Sequence, residues 1–214
     1  NLAAPANTKV FSLTHRLHLT QPQAYIFDPE LPYWIIYRDQ LFDSVCRKLD
    51  FDVFEVFRDR QLTNKLLSSS GELRVLKSRN LSDDGKEILD IPGYDSYISY
   101  AAAKPLSVFQ YLDAPNVYLT PNMTYKPRMM KKPPHCVVNG SLAILIPKGG
   151  IVPTEKQLAY FSSEEYRAFY QIARNFQTRS LNVDACSVFF YGLLRDEAKP
   201  APEKFDTSVQ LSFL

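Results

Sequence analysis

The chain has 214 residues, with 25 Lys and Arg against 23 Asp and Glu, so its formal net charge is +2. Hydrophobic residues make up 45% of the sequence, which excludes a largely disordered chain and suffices for one sizeable core or two small ones. No apolar run approaches the roughly 18–20 residues of a membrane-spanning helix, so no membrane partner is expected. Because the charge is nearly neutral, any nucleic-acid footprint has to be local.

The N-terminal third predicts a strand, a loop and a helix in that order. Partial alternation over residues 8–19 indicates a strand, and three prolines in residues 21–32 indicate a loop. The strand face would carry Leu13, His15, Leu17 and Leu19. Helical spacing over residues 33–49 predicts an amphipathic helix with Trp34 in the core. The β-rich residues 51–57 predict the next strand.

The central part predicts short strands between turns. Residues 73–76 form a predicted strand, and residues 87–91 follow the turn at 83–85 as another. Residues 120–134 are polar, basic and interrupted by prolines, which predicts a long loop. Within residues 137–146, Asn139 and Gly140 are the sequence signal of a tight hairpin turn.

The C-terminal part contains the clearest helix, over residues 162–176. Ser162 and Glu165 have the spacing of a capping box at its start. One face, expected in the core, carries Tyr166, Phe169, Tyr170, Ala173 and Phe176. Residues 188–194 predict a terminal strand. Short strands with two main helices predict an α+β fold with a twisted or partly closed mixed β-sheet.

The sequence lacks the common catalytic motifs, among them GxSxG, the Walker lysine loop, GxGxxG and HExxH. His15 and His18 are three residues apart, which on a strand places them on opposite faces, so they do not predict a metal site. The widely spaced cysteines Cys46, Cys136 and Cys186 form no CxxC pair, which argues against structural zinc and favours a reduced, cytoplasmic location.

Two alternatives to a binding module for DNA stay open at this stage. The acidic residues Asp50, Asp52 and Glu55 allow an independent metal-dependent nuclease, although Asp52 and Glu55 would lie on opposite faces of a strand. A protein-interaction module without a role at DNA is the other alternative.

The informative feature is the position of basic residues in polar loops, beside Asn, Gln, Ser and Thr. They are Arg58, Arg60, Lys65, Lys77, Arg79, Lys126, Arg128, Lys131, Lys132, Arg174 and Arg179. Lys and Arg suit phosphate contacts, and Arg, Asn and Gln suit bidentate hydrogen bonds to base edges. The pattern therefore indicates nucleic-acid contacts distributed over several loops.

Four segments, in this order, resemble target recognition domains of restriction–modification systems. They are LRVLKSRNLSDDG (73–85), VYLTPNMTYKP (117–127), VVNGSLAILIPKG (137–149) and the helix-containing residues 160–193. Such domains occur in type I specificity subunits and at the C-terminal end of type II adenine methyltransferases. The resemblance covers residues 55–195 and departs from the family in two places. No heptad pattern follows Leu194, and YGLL stands in place of a Pro-x-Pro exit; both favour the methyltransferase-attached form.

The resemblance implies a fold like that of type I specificity subunits and a division of the chain into three parts. Residues 51–195 would be the recognition domain, residues 1–50 a linker or a completion of the domain, and residues 196–214 a tail. The chain itself would be non-catalytic and need no cofactor or metal, while its parent would be an adenine-N6 DNA methyltransferase using S-adenosylmethionine. The implied partners are double-stranded DNA and a methyltransferase domain in the same or a partner chain.

The candidate DNA contacts are chosen by loop position and side-chain chemistry, because contact loops of this family vary too much for a residue-by-residue transfer. They are Lys77, Arg79, Asn80, Tyr125, Lys126, Arg128, Arg179 and Asn182.

Overall fold

The structure is a computed structural model that describes residues 7–14, 16–177 and 181–195. Within these ranges the chain is a mixed α+β protein with five α-helices and four small sheets, so the predicted α+β class is confirmed. The sheet arrangement differs from the prediction of one twisted or partly closed sheet. None of the helices in these ranges has the length and apolar character needed to cross a membrane.

The elements are short strands and short helices. The strands are β1 (Asn7–Ser12), β2 (Leu17–Pro22), β3 (Leu49–Asp50), β4 (Phe54–Phe57), β5 (Leu73–Leu76), β6 (Ser96–Ile98), β7 (Tyr118–Pro121), β8 (Met130–Lys131), β9 (Cys136–Val138), β10 (Leu142–Pro147) and β11 (Leu193–Leu194). The α-helices are α1 (Gln23–Ile26), α2 (Gln40–Lys48), α3 (Tyr100–Ala103), α4 (Glu155–Tyr160) and α5 (Glu164–Ala173). Short 3-10 helices lie at Asn64–Leu66, Ser78–Asn80, Ser107–Tyr111, Lys148–Gly150 and Ser187–Phe190.

Two sheets dominate the fold. The larger one is antiparallel with strand order β4-β10-β7-β8, and the smaller one has the order β6-β5-β9, in which β5 pairs antiparallel with β6 and parallel with β9. Strand β10 is buried on both faces because alternate residues enter different cores. Ala143 and Leu145 belong to one hydrophobic cluster, whereas Leu142 and Ile144 belong to the other.

The first core is built around the two longest helices and is rich in aromatic rings. Phe169 of α5 is fully buried and stacks on Phe42 of α2, with 5.1 Å between ring centroids. The rings of Phe51 and Phe190 lie 6.1 Å from that of Phe169. Residues of α2 therefore share one core with α5, although α2 lies within the segment 1–50 that the resemblance leaves uncovered.

Helix α5 has the predicted buried face but spans residues 164–173, which is shorter at both ends than the predicted helix over residues 162–176. The predicted core positions on it are buried, and Phe176, beyond its end, is partly buried. The N-cap is Ser163, whose Oγ accepts a hydrogen bond from the Tyr166 amide at 3.1 Å. The capping role predicted for Ser162 is wrong, because its hydroxyl instead donates to the carbonyls of Asp84 and Ala159.

Helix α2 is shorter than the predicted helix over residues 33–49. It begins after Asp39, whose carboxylate accepts from the Phe42 amide at 2.8 Å and so caps the helix. Trp34 precedes the helix, so helical spacing does not set its direction. Its side chain is 55% exposed, and the core placement predicted for it is wrong; the neighbouring Ile35 is fully buried instead.

The single strand predicted over residues 8–19 is in fact a hairpin of β1 and β2. Its turn includes Leu13, which is 96% exposed and does not lie on a buried face. His15 lies outside the described residues. The alternation of apolar and polar residues is only partial because the segment contains two strands, each with its own inward face. The turn between them interrupts the two-residue period.

The hairpin predicted at Asn139 and Gly140 is also wrong. Strand β9 pairs with β5, whereas β10 pairs with β4 and β7, so the turn carries the chain from one sheet to the other. A Cβ on Gly140 would lie 2.7 Å from the carbonyl oxygen of Asp59, which explains why glycine stands there. At the C-terminal end, only Leu193–Leu194 is a strand, because the preceding residues form a 3-10 helix.

The buried tyrosines predict a loss of stability at alkaline pH. Burial raises the pKa values of Tyr166, Tyr170 and Tyr191. Below pH of about 10 these hydroxyls are protonated in both states, whereas above it only the unfolded chain releases the protons. We expect the free energy of unfolding to fall by about 1.4 kcal/mol per pH unit for each such tyrosine. Urea unfolding measured at several pH values above about 10 tests this expectation. Tyr170→Phe should reduce the dependence of the free energy of unfolding on pH by the contribution of one tyrosine.

Candidate nucleic-acid interface

Loops from distant parts of the sequence meet at the ends of β5, β7 and β9. We define the loop cluster as residues 77–85, 122–128, 139–141 and 181–183. Ser78 donates its amide hydrogen to Ser141 Oγ at 2.9 Å, which joins the first segment to the third. Asn122 Nδ2 donates to the Gly140 carbonyl at 2.9 Å and to Asn182 Oδ1 at 2.8 Å. The four segments are thus held together by hydrogen bonds in one surface region.

Asn122 is the central polar side chain of this arrangement. It is 5% exposed, and its Oδ1 accepts the Val183 amide at 3.0 Å while its Nδ2 makes the two bonds to Gly140 and Asn182. It was not among the site residues predicted from the sequence. Its only sequence signal was an Asn at the end of a strand, where short polar side chains bind neighbouring backbone.

Arg128 fastens two segments of the loop cluster from the inside. It is 7% exposed, and its guanidinium donates to the carbonyls of Lys126 at 3.1 Å, Ser78 at 3.1 Å and Leu81 at 3.2 Å. Burial lowers its pKa. The side chain predicted to contact DNA is therefore engaged with protein carbonyls and positions residues 78–81 against residues 126–128.

Two further candidates, Lys77 and Asn80, are also engaged internally. Asn80 is fully buried; its Oδ1 accepts the Lys77 amide at 2.9 Å, and its Nδ2 donates to Asp95 Oδ1 at 2.6 Å. Lys77 Nζ donates to Ser96 Oγ at 2.9 Å and to the Tyr94 carbonyl, and burial lowers the pKa of this ammonium group. These side chains shape the turn after β5.

Arg79, Tyr125 and Lys126 lie at the surface of the loop cluster. The exposed Arg79 guanidinium stacks over the ring of Tyr94, 4.6 Å from its centroid. Tyr125 is 37% exposed. Tyr94 was not predicted from the sequence, although an aromatic residue beside the Pro92-Gly93 turn is a visible signal.

Lys126 pairs with Asp83 at 2.9 Å, and both side chains are more than half exposed. The hydrogen bond from Lys126 lowers the pKa of Asp83, so this carboxylate stays ionised. An exposed pair of this kind contributes little to stability. A phosphate can therefore take the place of Asp83 beside the Lys126 ammonium with little loss of stability.

The C-terminal segment of the loop cluster contributes Asn182. Its side chain is exposed, and its carbonyl accepts from the buried Arg174 guanidinium at 2.9 Å. Arg179 lies outside the described residues, three positions before Asn182 in the sequence.

Two of the three acidic residues of the nuclease alternative are paired with cations of the chain. Asp50 pairs with Arg195 at 2.9 Å, and Asp52 pairs with Lys148 at 2.6 Å. Throughout residues 7–14, 16–177 and 181–195, no three His, Cys, Asp or Glu side chains are grouped so as to hold a metal ion.

No protein-family model matches this chain, and no curated protein matches it.

Proposed function

We propose that the chain is a sequence-specific duplex DNA recognition module of a restriction–modification enzyme, with the target-recognition-domain fold that its sequence resembles. One observation carries the proposal. The segments of the resemblance lie far apart in the sequence, yet hydrogen bonds hold them in the loop cluster, which exposes Arg79 and Lys126. Basic and polar side chains at a surface are the groups that contact phosphates and base edges in duplex recognition.

The contact residues of the proposal divide by exposure. Arg79 and Lys126 reach phosphates or base edges directly, and Tyr125, Asn182 and Arg179 complete the contact set as candidates. Lys77, Asn80 and Arg128 act as positioning residues, because their polar groups bind protein carbonyls and side chains. In this assignment phosphate contacts set the register of the module on the duplex, and a few base contacts specify the sequence.

The chemistry belongs to a methyltransferase domain in the same or a partner chain. That domain uses S-adenosylmethionine to methylate N6 of an adenine that is flipped out of the duplex. The recognition module holds this domain at its target site and takes no part in the reaction. A type II system and a cytoplasmic location belong to the same proposal, as does the option that the parent also cleaves DNA.

Removing one exposed charge of the loop cluster should weaken DNA binding in a salt-dependent way. For Arg79→Ala and for Lys126→Ala, we expect the slope of log affinity against log salt to flatten by about 0.9 for each phosphate that is no longer neutralised. Fluorescence anisotropy with a labelled duplex pool measures it. Lys104→Ala, which removes an exposed lysine outside the cluster, is the matched control. Equal slopes for all these proteins would overturn the assignment of the contacts.

A further inference from the structure

The hairpin of β1 and β2 is a two-stranded sheet of its own, paired with no other described strand. Its register places Lys9 opposite Thr20 and Phe11 opposite His18. These four side chains are exposed and share the outer face, since residues at this spacing point to the same side of a strand. The rings of Phe11 and His18 stack at 4.3 Å, which holds an aromatic plane on that face.

The hairpin carries positive charge only. Residues 7–22 contain Lys9 and Arg16 and no Asp or Glu. Both basic side chains are exposed, and neither is ion-paired with another residue of the described part of the chain. Other stretches of the chain, among them residues 114–154, also contain basic residues without any Asp or Glu, so the hairpin is one of several locally basic segments.

The inner face anchors the hairpin to the fold. Val10 and Leu19 are buried with Ile26 and contact Tyr37. Gln21 Nε2 donates to the Arg38 carbonyl at 2.6 Å, just before α2. The hairpin is therefore held in one orientation by apolar contacts and a hydrogen bond, although an isolated two-stranded sheet would be only marginally stable.

The base of the hairpin is connected to the loop cluster through the end of α5. The ring of Tyr37 contacts that of Phe176 edge-on at 5.0 Å, and two residues before it the buried Arg174 donates to the Asn182 carbonyl. The hairpin and the loop cluster thus flank the same segment of chain.

We propose that this hairpin is a second DNA-binding element, which enters the major groove beside the site contacted by the loop cluster. The inference rests on duplex DNA being the ligand, as proposed above. A major groove about 12 Å wide admits a two-stranded ribbon, whose strands lie about 4.8 Å apart. Lys9 has the chemistry to donate to guanine O6 and N7, and the Thr20 methyl and the Phe11 ring suit the thymine methyl group.

The charge of the hairpin favours DNA over a protein strand added at its open edges. Pairing through the edges would use backbone groups and would not call for a face without acidic residues. The outer face combines a cation, an aromatic ring and a hydroxyl, which is the mixture that reads base edges. An anionic membrane is the other surface to which basic and apolar side chains bind, and the experiment separates it from DNA.

The test compares the full chain with Lys9→Gln/Phe11→Ser, in a randomised duplex pool and in the same pool made with 7-deazaguanine. We expect affinity of the double variant to fall about tenfold, with thermal unfolding unchanged because both side chains are exposed. The 7-deaza pool removes only a major-groove acceptor, so it should weaken binding by the wild-type chain more than binding by the double variant, which keeps only the contacts of the loop cluster. Thr20→Glu, which places a negative charge on the same face, is a second variant with the same expected loss. Lys104→Gln is the control for charge.

The outcomes separate the hairpin from the loop cluster. If the hairpin variants bind DNA normally and Lys126→Ala binds it more weakly than the wild type, the hairpin proposal is overturned and the proposed function stands. If the hairpin variants lose DNA affinity while Arg79→Ala and Lys126→Ala keep it, the hairpin proposal is supported. The loop cluster is then not part of the DNA interface. Absence of duplex binding by the wild-type chain at low salt overturns both. Hairpin-dependent binding to phosphatidylserine vesicles, without any effect on DNA, assigns the hairpin to a membrane and overturns the proposal.

Discussion

Replacing Phe169 by alanine is expected to lower the free energy of unfolding by about 4 kcal/mol, the largest single effect that the fold predicts. The ring is fully buried and lies between α2, the segment after β3 and the 3-10 helix at Ser187–Phe190. Removing it leaves a cavity lined by rings whose own positions depend on it, so the site cannot collapse easily. The variant also loses the stacked and edge-on contacts between these rings, and this loss lowers the free energy of unfolding further than the smaller buried area alone.

Urea unfolding of Phe169→Ala and of a matched exposed phenylalanine measures this effect. Phe27 is 52% exposed, and Phe27→Ala should change the free energy of unfolding by less than about 1 kcal/mol. Similar values for the two variants would mean that α2 and α5 do not share a core, and would contradict the described packing.

Replacing Arg128 by alanine is expected to cost about 3 kcal/mol of stability and to abolish measurable DNA binding. Three carbonyl oxygens lose a charged donor, and each hydrogen bond to a charged group contributes about 1.5–3 kcal/mol. The variant no longer buries a guanidinium, which recovers part of this free energy. The segments 78–81 and 126–128 then lose their connection. Since Arg79 and Lys126 lie on these two segments, their spacing is lost as well.

The matched controls for Arg128 are Arg60→Ala, at an exposed loop position, and Arg128→Lys. Arg60→Ala should leave stability unchanged. Lysine keeps the charge but cannot reach three carbonyls at once with a planar group, so Arg128→Lys should lie between the wild type and alanine. A stable Arg128→Ala protein whose DNA affinity alone is reduced would show that Arg128 is a direct contact and not a positioning residue.

Helix α5 was the most predictable element because its apolar residues repeat at helical spacing over three turns. The stripe of Tyr166, Phe169 and Tyr170 needs only the geometry of one helix, so the sequence predicts the buried face without knowledge of the partner. The position of the N-cap was less predictable, since two serines stand side by side and only the fold decides which one binds Asp84.

The connection of the sheets could not be predicted from local pattern. Asn139 and Gly140 have the residue types of a two-residue hairpin, but the strands on either side find better partners in two different sheets. The choice depends on β5 and β7, which lie far away in the sequence. Non-local pairing of this kind leaves no trace in the turn itself.

For the candidate site, the sequence predicted the loops better than the side chains. Residues 77–85 and 122–128 do come together, but loop chemistry alone does not distinguish an exposed Lys126 from a buried Arg128 only two positions away. The distinction depends on the carbonyls of Ser78 and Leu81, which approach Arg128 only in the folded chain.

The central claim is that this chain reads a short duplex sequence, and selection from a randomised duplex pool tests it most directly. The purified chain is incubated with the pool at two salt concentrations, and the bound fraction is sequenced. We predict that one short motif is enriched, and that the affinity for it falls as the salt concentration rises. Recovery of unselected sequences at both salt concentrations, or of no DNA at all, would contradict the claim.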